Sequence, residues 1–129
     1  INFRQTEYNH IMENIIYNEL RYRGFNVDVG DVEIRENVKD KNGGSIRKQY
    51  STEVDFVANY GDKRYYIQSV YKINDEDKLN QELKSLKNIG DSFKKIIVVY
   101  DYIVPRYDDN GFFYIGLRDF LSDPNSLEK

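Results

Sequence analysis

Asp55 stands inside a run that otherwise reads as a β-strand, between Val54 and Phe56 and close to a second acid, Glu53. A carboxylate in mid-strand is unfavourable for a sheet and costly to desolvate unless something pairs with it. In the next strand-like run Gln68 is the polar residue among apolar and aromatic neighbours. A hairpin closed at Gly61-Asp62 sets Asp55 and Gln68 side by side. A carboxylate and an amide oxygen converging in this way suit a hard divalent cation, magnesium or manganese, which takes oxygen ligands and keeps several waters. Glu13, carried on a helix packed across the sheet, would add a third oxygen. The alternative is structural: Asp55 pairs with Lys72 or an arginine, and Gln68 hydrogen-bonds to backbone. Both readings stay open at this level.

Other chemistries are excluded by composition. The 129 residues contain no cysteine and one histidine, His10, so disulfides, thiolate metal sites, cysteine nucleophiles and multi-histidine ligand sets cannot be built. No serine or cysteine motif accompanies His10, which reads as a surface or partly buried helix residue. Gly43-Gly44-Ser45 lacks the lysine of a phosphate-binding loop. The longest apolar run, Ile96 to Tyr100, is far short of the ~20 residues of a spanning helix. With no basic-then-apolar leader, the expectation is a soluble cytoplasmic domain, one fold over residues 1–129, excised from something larger.

Charge is unevenly placed. Residues 1–99 balance at 16 basic and 16 acidic side chains, so the net charge of −3 comes from residues 100–129. The dense basic stretch is Lys39, Lys41, Arg47 and Lys48 around Asn42-Gly43-Gly44-Ser45. It reads either as a solvated loop or as a mobile basic loop that contacts the phosphates of DNA or RNA.

The elements that must position these residues follow from periodicity. Tyr8, Met12, Ile15, Ile16 and Leu20 recur at helical spacing and predict a helix over about 6–23, closed by Gly24. Residues 25–34 alternate as a strand in which Gly30 signals a bulge or close backbone approach. Residues 50–60 form a second strand, with Val54, Phe56 and Ala58 on one face and Glu53, Asp55 and Val57 on the other. Residues 64–72 form a third. Asn74-Asp75-Glu76-Asp77 caps a second helix carrying Leu79, Leu83, Leu86 and Ile89. Ile96 to Tyr100 is a buried strand, Phe112 to Ile115 a short one and Leu117 to Leu121 a helical turn; Asp123 to Ser126 should fray. The expected fold is α/β, a mixed central sheet flanked by helices.

The sequence also resembles a known group. Glu13-Asn14-Ile15-Ile16-Tyr17-Asn18-Glu19-Leu20 and Arg23-Gly24-Phe25-Asn26-Val27 look like the opening of the C-terminal domain that follows the ATPase module in prokaryotic AAA-type ATPases of poorly defined function. Glu53 to Val57, Tyr66 to Tyr71, Glu82 to Leu86, Lys94 to Ile97 and Leu117 to Leu121 are similar to its later blocks. That domain is similar to the restriction-endonuclease-like, PD-(D/E)xK superfamily. The resemblance implies an αβββαβ core, with Asp55 as the metal-binding aspartate, Gln68 at the second acidic or amide position, Glu13 as the first-helix acid, and one or two magnesium ions held between them. Val54 stands where the motif prefers proline, and Val70 where it has its lysine. Lys72, one side-chain step (~7 Å) further along the strand, is the available substitute. The resemblance thus implies a nuclease-like accessory domain with a weakened or silent site. The alternative is an inactive module that binds its own ATPase module or a second copy of itself. ATP binding would belong to an N-terminal module outside these residues.

Overall fold

The computed structural model describes residues 3–129. Its elements are α1 (Phe3–Tyr22), β1 (Asn26–Lys39), β2 (Ser45–Tyr60), β3 (Lys63–Val70), α2 (Glu76–Lys87), β4 (Lys94–Val99), β5 (Arg106–Tyr107), β6 (Phe113–Gly116) and α3 (Leu117–Ser122), then a 3-10 turn over Ser126–Glu128. The six strands form one mixed sheet in the order β1-β2-β3-β4-β6-β5. Hairpins make the first two pairings antiparallel, α2 carries the chain over to β4 parallel to β3, and β6 joins parallel to β4. The expected α/β class and the order αβββαβ are both present, and none of the described helices is long and apolar enough to cross a membrane.

Each face of the sheet has its own core. Met12, Ile16 and Leu20 of α1 pack on Phe56, Ala58, Ile67, Ile96 and Ile115. Leu83 and Leu86 of α2 pack on Val54, Tyr66, Val70, Ile97 and Val99. Ile96 to Val99 are buried on both faces, as an all-apolar parallel strand requires. α2 begins where Asp75 accepts a hydrogen bond from the Lys78 N–H at 3.2 Å, a side-chain cap on its first turn.

Three features differ from the sequence reading. The basic segment is a strand ribbon, not a loop: pairing of β1 with β2 continues to Lys39↔Ser45. Asp40 closes the turn by accepting from the Asn42 and Gly44 N–H groups at 2.9 and 2.7 Å, with Gly43 at φ 80°. Second, the segment expected to fray is docked. Leu127 is 2% exposed, and Arg23 donates to Ser126 Oγ at 3.0 Å and to the Phe120 carbonyl. Third, Val54 does not share a face with Phe56 and Ala58. Asp28 of β1 pairs with Val57 and Gly30 with Val54, so Asp55 and Phe56 stand opposite Val29 alone. This bulge reverses the alternation, sending Val54 and Val57 to the α2 side together. A Cβ on Gly30 would meet Val57 at 2.8 Å and Val54 at 3.3 Å, which is the close approach that excludes a side chain there.

Candidate functional site

The bulge makes the site. The β2–β3 ladder runs from Tyr60↔Lys63 to Phe56↔Ile67, and beyond it the two strands part. At the fork the Asp55 N–H donates to Gln68 Oε1 at 2.8 Å in place of a backbone acceptor. The Ser69 N–H and hydroxyl donate to Asp55 Oδ2 at 2.8 and 3.1 Å. Side chains thus replace the broken ladder, and they hold the Asp55 carboxylate at the mouth of the fork.

Gln68 is placed beside Asp55, but its amide is fully used. It is completely buried; Oε1 accepts from the Asp55 N–H, and Nε2 donates to the carbonyls of Glu53 at 3.3 Å and Glu82 at 3.2 Å. Gln68 therefore ties β2, β3 and α2 together and does not offer its oxygen to the opening where the Asp55 carboxylate lies. Asp55 pairs with neither Lys72 nor an arginine: among the described residues it has no cation within 4 Å.

The acids that do meet Asp55 come from the two helices. Glu13 of α1 and Glu82 of α2 are both half-buried, and all three carboxyls are pushed above their usual range. Burial is the main cause for each. For Glu13 and Glu82 the Asp55 charge comes next, while the Ser69 hydrogen bonds partly offset the rise at Asp55. Glu82 is pushed up to about 7. The cation whose charge lowers all three is Lys78, one turn before Glu82 on the same face of α2. Lys72 lies beyond the end of β3 and is exposed. The chain turns away there, and α2 brings Lys78 back over the fork instead. Val70, at the lysine position of the motif, is buried against α2. His10 sits 3.8 Å from Glu13 on the solvent side, its side chain 72% exposed.

Glu82 and Lys78 are the residues the sequence reading missed as parts of a site. Their spacing, four apart on the helix that follows the Gln68 strand, was the available signal, but helix acids and lysines at this spacing usually form a solvated pair.

The side-chain acceptors around the fork are all oxygen, and among the described residues Asp55 and Glu82 form no ion pair within 4 Å; oxygen is the donor type that hard divalent cations take. Among the described residues no three acidic or histidine side chains close around one point; the three carboxyls share a field, not a finished coordination shell. Glu13, Asp55 and Glu82 are of the donor type such an ion takes but are not arranged as a ligand set, and the Gln68 oxygen is already occupied by the Asp55 N–H.

The basic residues are split. In the unbroken register of the ribbon, Lys39 and Arg47 lie on one face, Lys48 on the other, and Lys41 in the turn. Lys48 lies over the Tyr50 ring at 5.1 Å. Glu36 accepts from Lys84 of α2 at 3.0 Å, which braces the ribbon's base and holds the Glu36 carboxyl below its usual range. Arg47 is about 27 Å along β2 from Asp55, so the ribbon tip and the fork are separate regions.

No known family model matches the chain. A protein of Haemophilus influenzae described as uncharacterized is 31% identical over 91 residues, which is 70% of this chain and 18% of that protein. The chain therefore spans less than a fifth of that relative's length.

Proposed function

We propose that the chain is a nuclease-like domain of the restriction-endonuclease-like type, an accessory module of a larger AAA-type ATPase that acts on DNA or RNA in the cytoplasm. The observation that supports this reading is the fork between β2 and β3, where Ser69 holds the Asp55 carboxylate by two hydrogen bonds and carboxyls of α1 and α2 and one lysine share its electrostatic field. Glu13, Asp55 and Glu82 would hold magnesium or manganese. The chemistry such an ion would supply is a lowered pKa for an attacking water and charge stabilisation at the departing oxygen of a phosphodiester. Ser69 orients Asp55 through two hydrogen bonds, and Gln68 keeps α2 over the fork so that Glu82 and Lys78 stay in reach. The Lys78 ammonium takes the role of the absent motif lysine and neutralises charge that develops on the phosphate. Lys39, Lys41, Arg47 and Lys48 contact backbone phosphates away from the cleavage point. The longer relative supports a module within a larger protein.

The test is cleavage of labelled DNA and RNA by the purified chain with magnesium or manganese. Cleavage is expected with the native protein and absent in Asp55→Asn and Glu82→Gln. No cleavage together with no metal-dependent rise in melting temperature would overturn the reading. A second reading, a silent module that binds its own ATPase module or another copy, is favoured by one observation. Ile11, Ile15 and Tyr22 of α1 lie on one helical face at 54%, 37% and 88% exposure. It predicts concentration-dependent association that Ile11→Asp removes.

A further inference from the structure

Three tyrosines stack where the parallel strands end beside the fork. Tyr71 follows β3 and Tyr100 follows β4, with the Tyr100 N–H donating to the Val70 carbonyl at 3.2 Å. Their ring centroids are 4.8 Å apart with planes at 29°. Tyr8 of α1 stacks on Tyr71 at 5.6 Å and 27°, so Tyr71 is the middle ring. The outer rings are open to solvent, Tyr8 at 42% and Tyr100 at 50%, and Tyr102 beyond them is 75% exposed. A cleft of about 640 Å³ continues from Tyr100 between Tyr102, Leu117, Arg118 and Leu121.

Some other rings of this protein are capped by its own cations, among them the exposed Tyr107 and the buried Tyr114. Lys48 covers Tyr50 at 5.1 Å, Lys94 covers Tyr107 at 5.5 Å and Arg106 covers Tyr114 at 4.3 Å. Among the described residues none covers Tyr8, Tyr71 or Tyr100. The nearby cations, Lys72 next to Tyr71 and Arg118 in the cleft wall, are exposed and form no ion pair among the described residues. Asp101 in the same cleft offers an acceptor to an exocyclic amino group.

We propose that this tyrosine staircase is a stacking platform for unpaired nucleobases, and that the chain therefore engages single-stranded nucleic acid. The proposal deepens the nuclease-like reading and rests on it for placing the strand at the carboxylates. Ser69, which holds Asp55, is two residues before Tyr71, a step of about 7 Å along the chain. A base stacked on the rings thus puts its phosphate near the fork. Near-parallel rings whose outer members are about half exposed suit any base through its π-face, and a duplex keeps the faces of its bases occupied by neighbouring pairs. Lys72 and Arg118 supply positive charge to phosphates beside the stack.

The test is fluorescence anisotropy in EDTA, so that no cleavage intervenes, with labelled oligothymidylate, a duplex of equal length and an abasic strand of equal length. The oligothymidylate is expected to bind about tenfold or more tighter than the abasic strand, and tighter than the duplex. Tyr100→Ala should weaken it about tenfold, Tyr100→Phe should retain it, and the fully surface-borne Tyr102→Ala should weaken it with the fold intact. Equal binding of the abasic strand, preference for duplex, or self-association abolished by Tyr100→Ala would each overturn the platform, the last assigning the patch to a protein partner. Base-dependent binding without metal-dependent cleavage would leave the platform standing and remove the hydrolytic reading. Cleavage with no base dependence would do the reverse.

Discussion

Two clusters of charge are built into this fold, and they are treated in opposite ways. At the end of α1, Arg23 has a side chain only 4% exposed, yet every part of its guanidinium is answered. Glu19 accepts at 2.7 Å, Ser126 Oγ at 3.0 Å, the Phe120 carbonyl takes the remaining nitrogen, and the Phe120 ring lies 4.5 Å beneath. At the β2–β3 fork three carboxyls are desolvated together, with Lys78 near but not in contact. A buried charge with a full set of partners stabilises a particular packing, here the docking of the 3-10 turn. Crowded like charges without a cation tightly paired to each raise the free energy of the ionised state, an arrangement that clusters at functional sites. The contrast separates a structural junction from a candidate site.

Breaking the satisfied cluster should have the largest effect. Arg23→Ala leaves the Glu19 carboxylate without its partner and removes two of the ties that dock Leu127, although Ser126 Oγ still donates to the Phe120 carbonyl at 2.8 Å; it should cost about 3–5 kcal/mol in urea denaturation, and a loss below 1 kcal/mol would erase the contrast. Gln68→Met keeps the volume but leaves the buried Asp55 N–H without its acceptor and removes the ties to the Glu53 and Glu82 carbonyls, and should cost about 2–3 kcal/mol. Were Gln68 a dispensable ligand instead, metal response would fall with stability unchanged.

Relief of the crowded cluster should act in the other direction. Burial and the Asp55 charge push the folded Glu82 carboxyl from its ordinary 4.5 up to about 7, so between those values the native state holds more protons than the unfolded one. Stability then falls as pH rises through this window and is flat above it. Glu82→Gln removes the penalty: it should raise stability by about 1–2 kcal/mol at pH 8 and leave it unchanged near pH 4, as read from melting curves across pH. Magnesium needs the ionised carboxyls, so its stabilisation should be a few degrees at pH 8, smaller at pH 5.5, and absent in Asp55→Asn. Smallest of all, Lys72→Ala should change stability by less than about 0.5 kcal/mol and affect any cleavage through strand binding alone, leaving kcat intact, whereas Lys78→Ala should lower kcat about 10²-fold.

Much of this was legible in the residues themselves. The i, i+4 spacing of Met12, Ile16 and Leu20, the Asp75 cap, the all-apolar Ile96 to Val99 and the Gly30 irregularity each follow from local rules of period, capping and Cβ sterics. Asp55 is also visible as a misplaced acid, and Glu13 as an acid that a helix packed across the sheet would bring towards it; the two share the field at the fork. The chemistry assigned to Gln68 and Lys72 was not recoverable. An amide in mid-strand looks the same from sequence whether its oxygen faces a ligand or a neighbouring N–H, and the pairing that decides it lies across the hairpin. The Lys39–Lys48 stretch read as a loop because Asn-Gly-Gly and charges dominate it, yet strand pairing on both sides of Asp40 needs only backbone.

The chain's own pattern of side chains determined the helices, the strands, their approximate ends and the presence of an acid that a sheet would not otherwise carry. Tertiary structure alone decided which charges share a space. One extra residue in β2 at the bulge and the angle at which α2 returns across β3 set Glu82 and Lys78 over Asp55 and bury Val70 instead. Periodicity is a property of a single element, whereas convergence depends on the packing of three, and no local rule carries that information.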